Sequence, residues 1–300
     1  MAEVYSFEDL IHWNALTAGW QLPGRLAVFG DPVAHSRSPQ MHNPALEEAG
    51  IPAQYVRLLI REEELPAALR ELSRQGFLGT NLTIPHKVAA LGLVDRLTDS
   101  ARHLRTVNTV RVESDGTLSG HNTDGPGLSR AVEEAFGQPL GEQRLLILGA
   151  GGGAGRAAAV QSALEGCPAL VLANRTLSKV ESVAAEIRSL RPETSVEIID
   201  GSPESLNRVL SGVDLILNAS SVGMKVDDPV LVPADAFLPR HRVYDMIYAP
   251  ERTRLLGDAA AAGASVANGL AMLLWQGVLA FEYWFDRPAP VGAMRRGLGL

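Results

Sequence analysis

Two rhythms of apolar and polar positions run along the 300-residue chain. In the first, Phe7, Leu10, Ile11 and Asn14 fall at helical spacing and predict a short leading helix that closes near Pro23 and Gly24. A buried strand over 26–30, an irregular loop over 31–38 and a helix over 43–49 follow, the helix stopped by Gly50 and Pro52. A second strand is read over 55–60. Leu65, Leu69 and Leu72 then mark a helix over 62–75, with Gly76 placed as its C-cap. A third strand over 79–84 ends at Pro85, and strands over 107–112 and 118–120 flank Ser114-Asp115-Gly116-Thr117, a hairpin signal.

The second rhythm starts near Leu128. A helix over 128–136 leads into Arg144-Leu145-Leu146-Ile147-Leu148, a continuous apolar run that suits a strand buried on both faces. A glycine-rich turn, an alanine-rich helix over 156–164, a strand over 169–173, a helix over 178–190 and strands over 196–199, 214–217 and 243–246 complete it. Such alternation predicts a doubly wound parallel sheet. The most apolar stretch is a final helix over 267–284, expected to return to the first domain. The expected division is 1–127 with 268–300 as one domain and 128–267 as the other.

Composition narrows the class. Hydrophobic residues make up 46% and charged residues 20%, as in an ordinary globular protein. A net charge of -7 excludes the concentrated basic surface that nucleic acid or anionic membrane requires, without opposing a local pocket for an anionic metabolite. Residues 1–11 lack the basic segment and apolar stretch of a signal peptide, and the 266–281 window is too short to span a bilayer. A soluble, cytoplasmic protein is expected. Cys167 is the only cysteine and has no base beside it in sequence, so it reads as a buried thiol.

Chemistry begins at Gly149-Ala150-Gly151-Gly152-Gly153-Ala154-Gly155, directly between a strand and a helix. Gly149, Gly151 and Ala154 fit the dinucleotide fingerprint, with Gly155 an equal candidate for its third place; glycines let backbone N–H groups and a helix N-terminus approach a pyrophosphate. After the next strand comes Asn174-Arg175-Thr176, with no carboxylate to accept a ribose 2′-hydroxyl. Arg175, with Thr176 and Lys179, instead suits a 2′-phosphate, which favours NADP over NAD.

The first domain carries three polar segments. Ser36 and Ser38 can donate to one carboxylate; Asn81 and Thr83 leave a strand on one side just before Lys87; Asn108-Thr109 and Asn122-Thr123-Asp124 add amides, hydroxyls and a carboxylate. Hydroxyl and amide donors suit a polyol, and a lysine with a carboxylate supplies proton transfer. Together the runs 30–43 (GDPVAHSRSPQMHN), 81–87 (NLTIPHK), 107–109, 122–125 (NTDG), 149–153, 174–176, 218–224 (NASSVGM), 244–250 (YDMIYAP) and 269–277 closely resemble the shikimate/quinate dehydrogenase family, over nearly all of the chain after residue 25.

The resemblance implies an α/β architecture in which an N-terminal three-layer α/β substrate domain joins a doubly wound Rossmann NADP-binding domain, with the C-terminal helix returning to the first. It implies a catalytic Lys87–Asp124 pair and reversible reduction of 3-dehydroshikimate to shikimate with NADPH. Ser36 and Ser38, with Tyr248, would take the substrate carboxylate; Asn81, Thr83, Asn108, Asp124 and Gln276 would meet the ring oxygens. Gly149, Ala150, Gly151, Gly152, Gly153, Ala154, Asn174, Arg175, Thr176 and Lys179 would hold the phosphates and adenosine, and Ser220, Met246, Gly269 and Met272 the nicotinamide end. The implied partner is a small molecule, with neither nucleic acid nor membrane, and the chain a monomer or homodimer. Seven histidines lack metal-ligand spacing, so no metal is expected, and no tyrosine precedes a lysine by four as in a Tyr-Lys relay.

Three features depart from the family. Arg105-Thr106 stand where Gly-Ala is usual, so a guanidinium either joins the substrate wall or points to solvent. The glycine turn is one residue longer, and Ser220 replaces a commoner threonine. The leading ~25 residues fall outside the resemblance and read as packing or a dimer contact rather than chemistry. A catabolic quinate/shikimate dehydrogenase is the nearest alternative; a non-catalytic ligand-binding regulator would have lost Lys87 or Asp124, and both are present.

Overall fold

The computed structural model describes residues 3–225 and 227–300; Met1 and Ala2, part of the segment read for a leader, lie outside the described residues. The chain divides into two compact units, Met1–Asp124 with Leu274–Leu300, and Gly125–Leu273. The helix Leu270–Phe285 therefore begins in one unit and continues in the other.

In the first unit the strands are β1 (Val4–Ser6), β2 (Gly24–Gly30), β3 (Gln54–Leu59), β4 (Gly79–Leu82), β5 (Arg96–Leu97), β6 (Thr109–Val112) and β7 (Leu118–His121). They form one sheet in the order β1-β3-β2-β4-β6-β7-β5. Strands β1 to β4 pair in parallel, and β6 runs antiparallel to both β4 and β7. Period-2 alternation decides what each face carries. Ala27, Phe29, Val56 and Leu58 turn to a cluster with Leu65, Leu69 and Leu72 of the helix Leu65–Arg74. Their neighbours Tyr55 and Arg57 turn the other way, where Tyr55 stacks on His42 of the helix Ser38–Glu48 and Arg57 donates to its Gln40.

Several boundaries differ from the sequence reading. The leading segment opens with β1, which pairs with β3, before the helices Phe7–Ile11 and Trp13–Leu16. Ser6 caps the first of these in a capping box with Asp9. Trp13 is 1% exposed, lies edge-on to Tyr5 and Trp20, and donates from Nε1 to the Gly24 carbonyl, so this extension is part of the core. The helix expected over 43–49 starts at Ser38, because Pro39 fits the first turn, where its missing N–H costs nothing.

The second unit is a six-stranded parallel sheet. Its strands are β8 (Arg144–Leu148), β9 (Ala169–Ala173), β10 (Ser195–Ile199), β11 (Leu215–Asn218), β12 (Arg242–Asp245) and β13 (Ser265–Asn268), in the order β10-β9-β8-β11-β12-β13. This is the doubly wound order, with the switch of direction at β8 and β11. Leu145, Leu146 and Ile147 are at most 1% exposed, as a strand covered on both faces requires. The final helix starts at Leu270, not 267: Ala267 and Asn268 belong to β13, which pairs with Tyr244 and Asp245 of β12. Cys167 is fully buried, and burial pushes its thiol up to about 12.

Candidate active site

Strand β4 and the hairpin of β6 and β7 converge their ends on one polar cluster. Lys87, on the short helix His86–Ala89, donates from Nζ to Asp124 Oδ2 at 2.8 Å. The pair is half-buried, the side chains 31% and 18% exposed, which leaves a face open for a reactant. Asp124 opens the helix Asp124–Phe136, where the first-turn N–H groups favour a negative charge. Its second oxygen accepts from Asn108 Nδ2 at 2.9 Å, and its backbone N–H donates to Asn122 Oδ1 at 2.9 Å. Both carboxylate oxygens are thus held, so the ammonium they orient has a fixed position.

The supporting amides are themselves fixed. Asn108 also donates to Thr123 Oγ1, and its oxygen accepts from the Thr123 N–H, both at 2.8 Å. Asn81 accepts from the Tyr55 hydroxyl at 2.7 Å and donates to the Asn108 carbonyl and to Thr109 Oγ1. Asn81 and Asn108 are 5% and 2% exposed. Both amide N–H groups of each side chain donate to the protein, which makes a rigid polar floor, while Asn81 Oδ1 accepts only from Tyr55 and keeps a lone pair. The Thr83 hydroxyl, by contrast, takes no protein partner among the described residues, and its methyl packs against Gly30. Asn122 reaches Thr106 Oγ1 at 2.7 Å, so Thr106 steadies the run that carries Asp124. Arg105 is exposed and caps the helix Asp99–Leu104 at φ 49°.

Ser36 and Ser38 present their hydroxyls 3.2 Å apart. Gln276 sits on the helix Leu270–Phe285 beside Gly277, which packs directly on Met41 and His42. Tyr248 belongs to the second unit. His35 is exposed, while His86 is buried with Nε2 on the Ile60 carbonyl at 2.8 Å, and burial lowers its pKa. Among the described residues no three His, Cys, Asp or Glu side chains gather as metal ligands.

In the second unit the helix Gly153–Leu164 starts three residues earlier than its sequence suggests, inside the glycine run, with Gly152 at its N-cap. Gly149 takes φ +78° and lies against Ser220, where a Cβ would come within 2.7 Å of the serine Cβ. A Cβ on Gly151 would meet Lys179 and Asn174 at 2.8 and 3.0 Å. A Cβ on Gly155 would strike the Gly149 carbonyl and the Ala150 backbone, whereas Ala154 is exposed and carries one freely. Gly155, not Ala154, therefore fills the close-packing place of the fingerprint. Gly149, Asn174, Arg175 and Ser220 line one cavity of about 280 Å³. Arg175 and Lys179 pair with no carboxylate of the described residues. Bare backbone at a helix N-terminus, next to an unpaired guanidinium, fits a dinucleotide with a 2′-phosphate. At the ends of β12 and β13, Gly269 lies against the Met246 backbone, and burial raises the Tyr244 hydroxyl, which lies near the Met272 backbone.

The shikimate dehydrogenase substrate binding domain model matches residues 28–110, and the shikimate 5′-dehydrogenase C-terminal domain model matches residues 269–296. Shikimate dehydrogenase (NADP(+)) of Methanopyrus kandleri is 41% identical over 276 residues, 91% of this chain and 94% of the relative. The chain belongs to the shikimate dehydrogenase family. Among solved structures, shikimate 5-dehydrogenase of Thermus thermophilus in complex with NADP(H) and shikimate is 36% identical, with a TM-score of 0.81 over 92% of this chain and 98% of that one. The ligand-free 5-ketofructose reductase of Gluconobacter sp. strain CHM43 is also similar, at 32% identity and TM-score 0.82, over 94% and 99%.

The matched domains of the shikimate dehydrogenase family contain Ser36, Ser38, Asn81, Thr83, Lys87 and Asn108 in one case, and Gly269, Met272 and Gln276 in the other. The sequence reading missed Tyr55 and Arg57, since a strand's inward polar residues look like faults in its apolar pattern. Asp200 was also missed: it lines the Arg175 cavity, and the Ser205 hydroxyl with the Ser202 N–H and hydroxyl lowers its carboxyl to about 2. An Asp-Gly at a strand end was its only signal.

Proposed function

We propose that this chain is an NADP-dependent shikimate dehydrogenase, reversibly reducing 3-dehydroshikimate to shikimate. The observation that carries the reading is the half-buried Lys87–Asp124 ion pair at 2.8 Å, set on a floor of satisfied amides. When bound, NADPH supplies the hydride for the carbonyl carbon. Lys87 Nζ meets the negative charge that builds on the carbonyl oxygen and carries the proton that completes the hydroxyl. Asp124 aims Nζ, while Asn108 fixes Asp124. In the reverse direction Lys87 takes the proton from the ring hydroxyl.

Ser36 and Ser38 receive the substrate carboxylate; Thr83 and Gln276 meet ring oxygens. In this reading Asn81 and Asn108 act through the groups they hold in place. Gly149 to Ala154 and Gly155 hold the pyrophosphate; Asn174, Arg175, Thr176 and Lys179 hold the adenosine with its 2′-phosphate; and Ser220, Met246, Gly269 and Met272 border the nicotinamide end. The substrate domain is 1–127 with 268–300, and the cofactor domain 128–267. No described helix is long and apolar enough to cross a membrane. A cytoplasmic monomer or homodimer completes this reading, and light scattering of the purified chain tests its oligomeric state.

Steady-state rates with shikimate and quinate, each with NADP and NAD, test the reading. Shikimate with NADP should give the highest kcat/KM. Faster turnover of quinate would favour a catabolic quinate/shikimate dehydrogenase, preference for NAD would overturn the assignment to Arg175, and no turnover of either acid would overturn the activity.

A further inference from the structure

Arg57 is a buried charge that the reaction outlined above leaves unused. It sits in the middle of β3, 3% exposed. Its Nε and Nη2 donate to the Ser36 carbonyl at 2.9 and 2.6 Å, and Nη2 also donates to Gln40 Oε1 at 2.8 Å. All of these acceptors are neutral, and no carboxylate of the described residues pairs with it. A guanidinium stays protonated under such conditions, and a buried charge without a counter-ion is strongly unfavourable. The neighbouring Arg37 donates to the Leu298 carbonyl at 2.5 Å and is more exposed than Arg57, so solvent screens its charge more strongly. The residue that Arg57 grips is Ser36, whose hydroxyl faces that of Ser38 at 3.2 Å. Hydroxyls already donate more strongly to an anion than to a neutral acceptor, and the positive charge behind this pair adds to that preference.

We propose that Arg57 determines specificity for an acid: its charge makes the Ser36–Ser38 hydroxyl pair select a carboxylate over the corresponding ester, and its hydrogen bonds set the Ser36 backbone. This rests on the reading that the substrate is a carboxylic acid held by these serines. The guanidinium would lie about 8 Å from that carboxylate, the span of a serine residue with a hydrogen bond at each end; at an effective dielectric of about 20 this is worth on the order of thirtyfold in binding.

The test compares kcat/KM for shikimate and for methyl shikimate, with NADP, in the wild-type protein, Arg57→Lys and Arg57→Gln. Arg57→Gln should lose ten- to fiftyfold on the acid and less than threefold on the ester, whereas Arg57→Lys should keep the acid-over-ester ratio within about threefold of wild type, even if both rates fall. Equal losses on acid and ester in Arg57→Gln would reduce Arg57 to a structural role, and a ratio that collapses equally in Arg57→Lys would do the same. Should Arg57→Gln fold poorly, the Arg57→Lys ratio still decides between charge and hydrogen-bond geometry. Wild-type turnover of shikimate with an unchanged ratio in both variants sinks this inference alone; no wild-type turnover of shikimate sinks the proposed activity and this inference with it.

Discussion

The two units build their candidate sites by opposite means. In the first, side chains do the work: Lys87, Asp124, Asn108, Asn81 and Tyr55 form an unbroken run of hydrogen bonds, each fixing the next. In the second, side chains are removed so that the backbone can do it, and Gly149, Gly151 and Gly155 each stand where a Cβ would collide. A network of side chains fails when one atom is deleted; a cradle of backbone fails when one atom is added. The units therefore differ in which substitutions they tolerate.

The largest effect should come from deletion in the first unit. Lys87→Ala is expected to lower kcat by roughly 10²- to 10⁴-fold with a much smaller change in KM for shikimate. If the loss appeared in KM alone, Lys87 would be a binding group. Addition in the second unit comes next. Gly155→Ala puts a methyl group against the Gly149 carbonyl and Ala150 Cα, both backbone, so it should destabilise the chain by about 1–3 kcal/mol and weaken NADP binding while sparing shikimate affinity. A variant with unaltered NADP affinity would show that the turn is not a phosphate cradle.

Acid should act on the first unit more than on the second, whose single histidine, His241, is also lowered by burial, an effect its bond to the Leu210 carbonyl opposes. In the first, burial lowers His42 to about 3 and His121 to about 4, and both His42 ring nitrogens lack partners. The fold holds these groups neutral, so their contribution is complete above pH ~6.5, where the unfolded chain is also neutral. It is lost as pH falls from there toward the folded values, by up to ~1.4 kcal/mol per pH unit for each histidine. His42→Phe, which keeps the ring stack on Tyr55, should flatten the fall in urea-unfolding stability between pH 7 and 5. An unchanged slope would mean that His42 takes up its proton in the fold.

The smallest effect concerns Arg105, whose φ of 49° lies in the region that glycine adopts most easily. Arg105→Gly should raise stability by about 0.5–1 kcal/mol in thermal melts and leave kcat/KM for shikimate unchanged. A large fall in kcat/KM would instead put the guanidinium on the substrate wall.

Legibility followed the range of the interactions. The β8-turn-helix unit was readable because strand, turn and helix are contiguous: an apolar run, a glycine run and an alanine-rich run each report a local constraint. Helix starts were misplaced by three to five residues at Ser38 and Gly153, since proline and glycine read as breaks although both fit a first helical turn. Strands β1 and β13 escaped notice because each is an edge strand of three or four residues, defined by its pairing rather than its own pattern.

By itself, the sequence determined the doubly wound half, the glycine turn that admits phosphate, the lack of a carboxylate in the run Asn174-Arg175-Thr176, and the presence of both Lys87 and Asp124. Only the tertiary structure decided that Gly155 and not Ala154 closes the turn, that Asn81 and Asn108 are tied to one another and to Asp124, and that Arg57 lies beneath Ser36. The physical reason is separation along the chain. Asn108 meets Asp124 across 16 residues and Arg57 meets Ser36 across 21, and no periodicity or propensity encodes a contact that exists only once strands have found their register.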